Sequence, residues 1–259
     1  MNELRRGVHR LLVRVLCAPW FHAGRDFLLA LEGVLCGRRR PLPALAMALG
    51  ATLLAWVVYV PVHELLHAAG CALGGGRVHE LQIASHYGGA FLSRVFPFVS
   101  AEGPYAGRLS EFDTGGSDLV YLVTIALPYF LTITGGLACL RAAARGGGIP
   151  VFGIGTVLTA APVLGLGGDY YEMGSVVLSA LLDRLEAVRA LGTPFDLRSD
   201  DFVLLVRRFP EVFPRNGPFW AAAIAGSVFL GWLLATGTYA ASRRFAHFLE
   251  RVFPPGNAP

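Results

Sequence analysis

Long apolar runs and short polar connections alternate along the chain, and the lengths of the runs predict membrane-spanning helices. A helix needs about 20 mainly apolar residues to cross a bilayer. Four stretches reach that length: residues 41–73, 119–140, 149–168 and 218–241. Pro128 lies inside the second stretch and predicts a kink there. The pattern therefore predicts an all-α membrane protein with about four transmembrane helices.

The connections between these stretches differ in composition. Residues 74–118 are rich in glycine and aromatic residues, which predicts a small element of loops, short strands or re-entrant chain. Residues 183–217 mix both charge signs and predict a small soluble excursion. The apolar segment 171–182 predicts either an extension of the third helix or a segment lying at the interface.

The N-terminal region has a different pattern from the spans. Its apolar residues are interrupted by Arg5, Arg6, Arg10 and Arg14. These charges argue against a cleavable signal peptide and predict an amphipathic helix on the membrane surface. We therefore divide the chain into an interfacial segment 1–40, a membrane-embedded domain 41–242 and a C-terminal tail 243–259.

Composition strengthens the assignment to the membrane. The chain is 54% hydrophobic and 15% charged, against about 25% charged residues in soluble domains. Its net charge of +4 comes from short arginine clusters beside the spans rather than from one broad patch, which argues against nucleic-acid binding. These clusters are Arg38–Arg40, Arg141 with Arg145, and Arg243 with Arg244. Because positive residues favour the cytoplasmic side, they predict a bacterial inner-membrane protein with both termini in the cytoplasm.

Polar residues end the first apolar stretch, in PVHELLHAAG at residues 61–70. On a helix, His63 and His67 share one face, so both imidazoles can bind one metal ion. Glu64 lies beside the first ligand, where it would act as general base on a metal-activated water. Ionisable residues in a span cost about 2.5 kcal/mol or more each and mark functional sites. The motif therefore predicts a site for one zinc ion.

A third protein ligand is needed, because catalytic zinc usually has three of them and one open position. The longer motif HExxHxxGxxH would place it at position 73, but that residue is Leu73. Two carboxylates remain as candidates, Asp169 and Glu172, three residues apart and preceded by proline and glycine. The predicted topology places Asp169 at the same outer end of the spans as the two histidines.

With these residues the chain resembles the site-2 protease family of intramembrane zinc metallopeptidases. That family pairs HExxH on one transmembrane helix with an aspartate on a later one, in an LDG-type motif where this chain has LGGD at residues 166–169. The resemblance implies that His63, His67 and Asp169 bind zinc and that Glu64 is the catalytic base. It also implies a substrate that is a membrane-anchored protein, cut at a peptide bond.

Other features support weaker predictions. His79 and His86 are expected to be loop histidines, and Cys71 a packed apolar residue rather than a ligand. Residues 111–118 predict a turn before a helix, with Ser117 or Asp118 as N-cap. Residues 87–98 predict an edge strand that an extended substrate could join.

Two competing functions remain open. The protein could hold a structural or transport metal without proteolysis, in which case Glu64 would be dispensable. Alternatively, it could be a metal-free peptidase-like scaffold that binds a partner without cutting it.

Overall fold

A computed structural model describes residues 12–36, 40–103, 105–184 and 202–254, with the backbone alone for residues 202–216. Its helices are α1 (Ala18–Leu35), α2 (Pro41–Leu73), α3 (Gly89–Val95), α4 (Asp118–Ala126), α5 (Tyr129–Leu131 and Leu137–Ala142, joined by the π turn Thr132–Gly136), α6 (Gly148–Leu164), α7 (Asp169–Leu182) and α8 (Phe202–Val252). Its strands are β1 (Arg77–Ile83), β2 (Val99–Ser100) and β3 (Gly107–Asp113). Short helical turns occur at Val13–Cys17, Ser85–Tyr87, Ala143–Gly147 and Gly165–Gly167.

The chain is mostly helical, as predicted, and its glycine-rich region contains a small sheet. The strand order is β2-β1-β3, with β1 parallel to β2 and antiparallel to β3. Leu81 pairs with Leu109 in the antiparallel register and with Val99 in the parallel one. Of the alternatives predicted for residues 74–118, short strands are therefore the correct one.

The predicted edge strand at residues 87–98 is wrong. This segment forms the turn Ser85–Tyr87 and helix α3. Gly88, with φ of 86°, provides the left-handed residue that joins them. Leu92 and Phe96 then pack on the buried face of β1, and this burial favours a helix over a strand.

Among the described residues, three helical stretches are long and apolar enough to cross a membrane: Pro41–Leu73, Tyr129–Gly167 and Gly217–Val252. The middle stretch turns back on itself at Gly146, whose φ is 98°. Thr132 Oγ1 donates a hydrogen bond of 2.8 Å to the Leu158 carbonyl, so α5 and α6 run antiparallel. Membrane-compatible helices are thus present, while the count of four spans stays a prediction.

Other boundaries match the predictions in part. The helix is interrupted at Leu127–Pro128, where the sequence predicted a kink. Residues 171–182 lie in α7, a separate helix that does not extend α6. Residues 202–217 of the predicted excursion 183–217 are helical and continue into α8, and residues 185–201 lie outside the described residues. The position of this segment outside the membrane stays a prediction.

The chain divides into two compact units. The first unit comprises Met1–Tyr59, Tyr129–Pro162 and Thr236–Pro259. In it, α1 is helical over part of the predicted N-terminal helix, buries Ala23, Ala30 and Val34 and exposes Phe21 and Leu28. The amphipathic character of this helix stays a prediction. Its membrane-surface position, the helicity of residues 1–11 and the domain boundaries at 40 and 242 stay predictions.

The second unit comprises Val60–Pro128 and Val163–Ala235. One of its apolar clusters joins Ala68 of α2 to Leu81 and Ile83 of β1 and Val99 of β2. This packing fixes the sheet against the C-terminal part of α2, the part that carries the HExxH motif.

Candidate metal centre

The two motif histidines lie one turn apart on α2, as the spacing predicts. Their ring centroids are 4.6 Å apart, and the Nε2 atoms of His63 and His67 are 3.0 Å apart. The helix runs without interruption through the motif, although it contains Pro61. Both imidazoles therefore direct the same nitrogen toward one point.

Asp169 reaches that point from a different part of the chain. Helix α6 ends at Leu164, the turn Gly165–Gly167 follows, and α7 starts at Asp169 itself. Asp169 Oδ2 lies 3.1 Å from His63 Nε2 and 3.5 Å from His67 Nε2. The expectation that these distant segments come together is confirmed.

The donor set fits a zinc ion in both chemistry and size. Four bonds of about 2.0–2.1 Å in a tetrahedron hold neighbouring ligand atoms about 3.3 Å apart. The three observed separations of 3.0, 3.1 and 3.5 Å lie around that value. Within the described residues, this trio is the group of side chains placed to hold a metal ion. Three ligands would leave one position open, as catalytic zinc requires.

The Asp169 carboxyl is held in its charged form. Burial favours the neutral acid, but before a metal replaces the Nε2 proton of His67, the positive charge of that histidine and hydrogen bonds to both histidines hold the pKa of Asp169 well below its usual range. An ionised carboxylate is the form that binds a cation.

The Thr124 carbonyl, which sequence reasoning missed, orients His67. His67 Nδ1 donates to the Thr124 oxygen across 2.9 Å, which leaves a lone pair on Nε2 for a metal. Gly70 allows this contact, because a Cβ at Gly70 would lie 2.7 Å from the Val123 oxygen and 2.9 Å from Thr124 Cα. The glycine three residues after His67 was the signal in the sequence that α4 packs closely here.

Glu64 lies beside the trio, as the motif predicts. Its side chain packs against Gly107 at the start of β3, and a Cβ on that glycine would overlap the Glu64 carboxyl group. Within the described residues its carboxylate accepts no hydrogen bond, and it lines a cavity of about 510 Å³ shared with His67 and Asp169. This is the position required of a base that acts on a water in the cavity.

Glu172, the alternative third ligand, makes a different contact. It accepts a hydrogen bond from the Tyr121 hydroxyl of α4, and its carboxylate is not part of the His–His–Asp trio. Tyr121 was not identified from the sequence. The geometry therefore favours Asp169, one turn earlier in α7, while the metal-binding role of either residue stays a prediction.

The remaining candidates lie away from the trio. His79 is exposed on β1 rather than in a loop, and His86 is exposed in the turn before α3. Cys71 is buried, with its Sγ 3.9 Å from the Asp113 carbonyl, as expected of a packed residue. Ser117 is the N-cap of α4 and accepts from the Val120 amide at 3.4 Å, which confirms the predicted turn.

One strand of the sheet forms much of the cavity wall. Strand β3 contributes most of its length, and residues of α2, α4 and the start of α7 line much of the rest. Because polar and apolar groups both line the space, it suits a peptide segment better than a purely apolar ligand.

Comparisons with known proteins add no assignment. No protein-family model matches the chain, and neither a curated protein nor a solved structure does. The resemblance to the site-2 protease family thus depends on the motif residues themselves and stays a prediction.

Proposed function

We propose that this chain is a membrane-embedded zinc metallopeptidase that hydrolyses a peptide bond of a membrane-anchored protein. One observation carries the proposal: Asp169 Oδ2 lies within 3.5 Å of both motif histidines, beside a Glu64 that faces the same cavity. A purely structural metal site has no use for a carboxylate at the position of Glu64.

Each residue of the site has a separate task. His63, His67 and Asp169 would hold the ion, and the Thr124 carbonyl keeps His67 in the tautomer with a free Nε2. Zinc in such a site lowers the pKa of water toward about 7 and polarises a carbonyl. Glu64 would accept a proton from the attacking water and then deliver it to the leaving amine.

The depth of the site supports a membrane-anchored substrate. His63 lies about 33 Å from Pro41 along α2 at 1.5 Å per residue, which is close to the hydrocarbon thickness of about 30 Å. With the arginine clusters in the cytoplasm of a bacterial inner membrane, cleavage would take place at or near the outer interface. An anchored substrate would present its chain at that depth.

The decisive experiment uses Glu64→Gln in cells that express the full chain. New protein termini in the membrane fraction are compared among wild type, Glu64→Gln and the control Glu111→Gln. Glu111 is exposed on β3 and does not line the cavity. We expect at least one cleavage product to disappear with Glu64→Gln and to persist with Glu111→Gln.

Metal analysis of the purified variants separates the competing functions. We expect wild type and Glu64→Gln to hold about one zinc ion per chain, and His67→Ala to hold none. If Glu64→Gln changes no terminus while zinc remains bound, the site is a structural or transport metal site. If wild type binds no metal, the protein is a metal-free scaffold.

A further inference from the structure

A second polar cavity lies in the first unit, and it is independent of the proposed peptidase site. It has a volume of about 350 Å³ and is lined by side chains from α1, the end of α5 with its following turn, and the last turns of α8. Each helix contributes residues three or four positions apart, so one face of each is turned to the cavity. The cavity falls within the size range of about 300–1,000 Å³ typical of small-molecule sites.

Arginines dominate the lining. Arg25, Arg141, Arg145 and Arg243 face the cavity against two carboxylates, Asp26 and Glu250, which leaves a formal surplus of two positive charges. This count leaves out the two lining histidines, His22 and His247. The positive surplus is therefore present at neutral pH whether or not these histidines are protonated.

The two carboxylates are already engaged by two of the arginines. Arg141 donates to Asp26 Oδ2 at 2.8 Å and to Glu250 Oε2 at 3.2 Å, and Arg145 donates to Glu250 Oε1 at 2.7 Å. Within the described residues, Arg25 and Arg243 have no ion pair or hydrogen bond. Their guanidinium groups are therefore the surplus charges available to a ligand.

The charges around His22 of α1 include these arginines. Burial is the largest cause that lowers the pKa of His22. The charges of Arg243, Arg25 and Arg141 act in the same direction, and the charge of Asp26 opposes them. The arginine charges that oppose a proton on His22 would attract an anion.

The position of the cavity suggests where the anion comes from. Arg141 and Arg145 lie just before the turn at Gly146, and Arg243 lies within the last three turns of the apolar stretch ending at Val252. Ends of spanning helices lie at the level of lipid headgroups. Arginine presents a planar fork of donors that matches phosphate oxygens.

From these observations we propose that the cavity binds a phosphate-bearing anion, with Arg25 and Arg243 contacting the phosphate. The charge surplus selects a net-negative group over a zwitterion. Two sources share this chemistry, an anionic phospholipid headgroup and a soluble phosphate ester, and basic pockets between helices are known to bind lipid headgroups.

The test is a calorimetric titration of the full-length protein in neutral detergent with three probes: short-chain phosphatidylglycerol, short-chain phosphatidylcholine and glycerol phosphate. We expect saturable binding of phosphatidylglycerol and clearly weaker binding of phosphatidylcholine. Arg25→Gln and Arg243→Gln should each weaken binding by about ten-fold or more, since each removes a charge-assisted contact.

Arg244→Gln is the matched control, because Arg244 carries the same charge, is the next residue of α8, is exposed and does not line the cavity. Its affinity should stay within about two-fold of wild type, since exposed charges contribute little. Glycerol phosphate binding as tightly as phosphatidylglycerol would identify a soluble ester as the ligand, and much weaker binding would identify the lipid. Equal affinity for phosphatidylglycerol and phosphatidylcholine, or equal loss in all three variants, would overturn the proposal.

Discussion

Asp169 and Glu172 lie one turn apart on α7 and make different contacts. Asp169 approaches both histidines, whereas Glu172 accepts a hydrogen bond from Tyr121. The sequence left both open as third ligand, because residues three apart share a helix face and periodicity alone does not distinguish them. The contacts that separate them come from α2 and α4, which are distant in sequence.

This difference predicts the metal affinities of two conservative variants. Asp169→Asn should weaken zinc binding by at least about 100-fold, because removing a ligand costs no less than removing its hydrogen-bonded support. Glu172→Gln should bind zinc within a few-fold of wild type. Competition with a chromogenic chelator measures both affinities, and the opposite order would make Glu172 the ligand.

Close helix packing supports the site at the scale of elements. Gly70 of α2 lies against the α4 backbone, and this approach brings the Thr124 carbonyl to His67 Nδ1. A side chain at Gly70 would separate the two helices, since a buried Cβ has no space there. The tautomer of His67 therefore depends on a glycine that is not itself a candidate ligand.

Gly70→Ala should destabilise the protein by about 1–3 kcal/mol and weaken zinc binding by about 10–100-fold. Gly50→Ala is the control, because Gly50 is in the same helix and a Cβ there meets nothing within 4 Å. It should be neutral or stabilising by up to about 1 kcal/mol. Thermal unfolding in detergent and chelator competition test both effects, and equal behaviour of the two variants would contradict the packing argument.

The sheet is the element that composition predicted least well. Glycine and aromatic content indicated strands in residues 74–118, and strands are present, but the segment chosen as edge strand became α3. Strand preference depends on packing against neighbours more than on the residues themselves. The element that lies over Glu64 is instead β3, starting at Gly107.

For the whole molecule, the membrane orientation is open to a direct test. The arginine clusters predict cytoplasmic termini and an outward sheet region. We propose two chains that each keep one test cysteine and the buried Cys71, with every other native cysteine replaced by alanine. One chain retains exposed Cys36, and the other carries Ser85→Cys at an exposed position in the turn before α3.

An impermeant maleimide should label Ser85→Cys in intact spheroplasts, and Cys36 only after permeabilisation. Cys71, which is fully buried, should stay unlabelled in the folded protein and serves as internal control. Labelling in the reverse order would place the sheet region, and the metal site beside it, on the cytoplasmic side.

The sequence by itself determined the features that depend on local pattern. Apolar run length identified α2 and the other long apolar helices, and the i, i+4 spacing placed His63 and His67 on one face. These features do not depend on what the helix packs against, because every α-helix repeats every 3.6 residues. The approach of Asp169 was anticipated from depth along the spans.

Only the tertiary structure decided which carboxylate meets the histidines, which carbonyl orients His67 and which strand covers Glu64. It also brought the arginines of α1, α5 and α8 to one cavity, although the sequence indicated only separate flanking clusters. These outcomes depend on contacts between residues about 40 to more than 200 positions apart. Such contacts follow from how helix faces pack against each other, and local periodicity carries no information about the partner face.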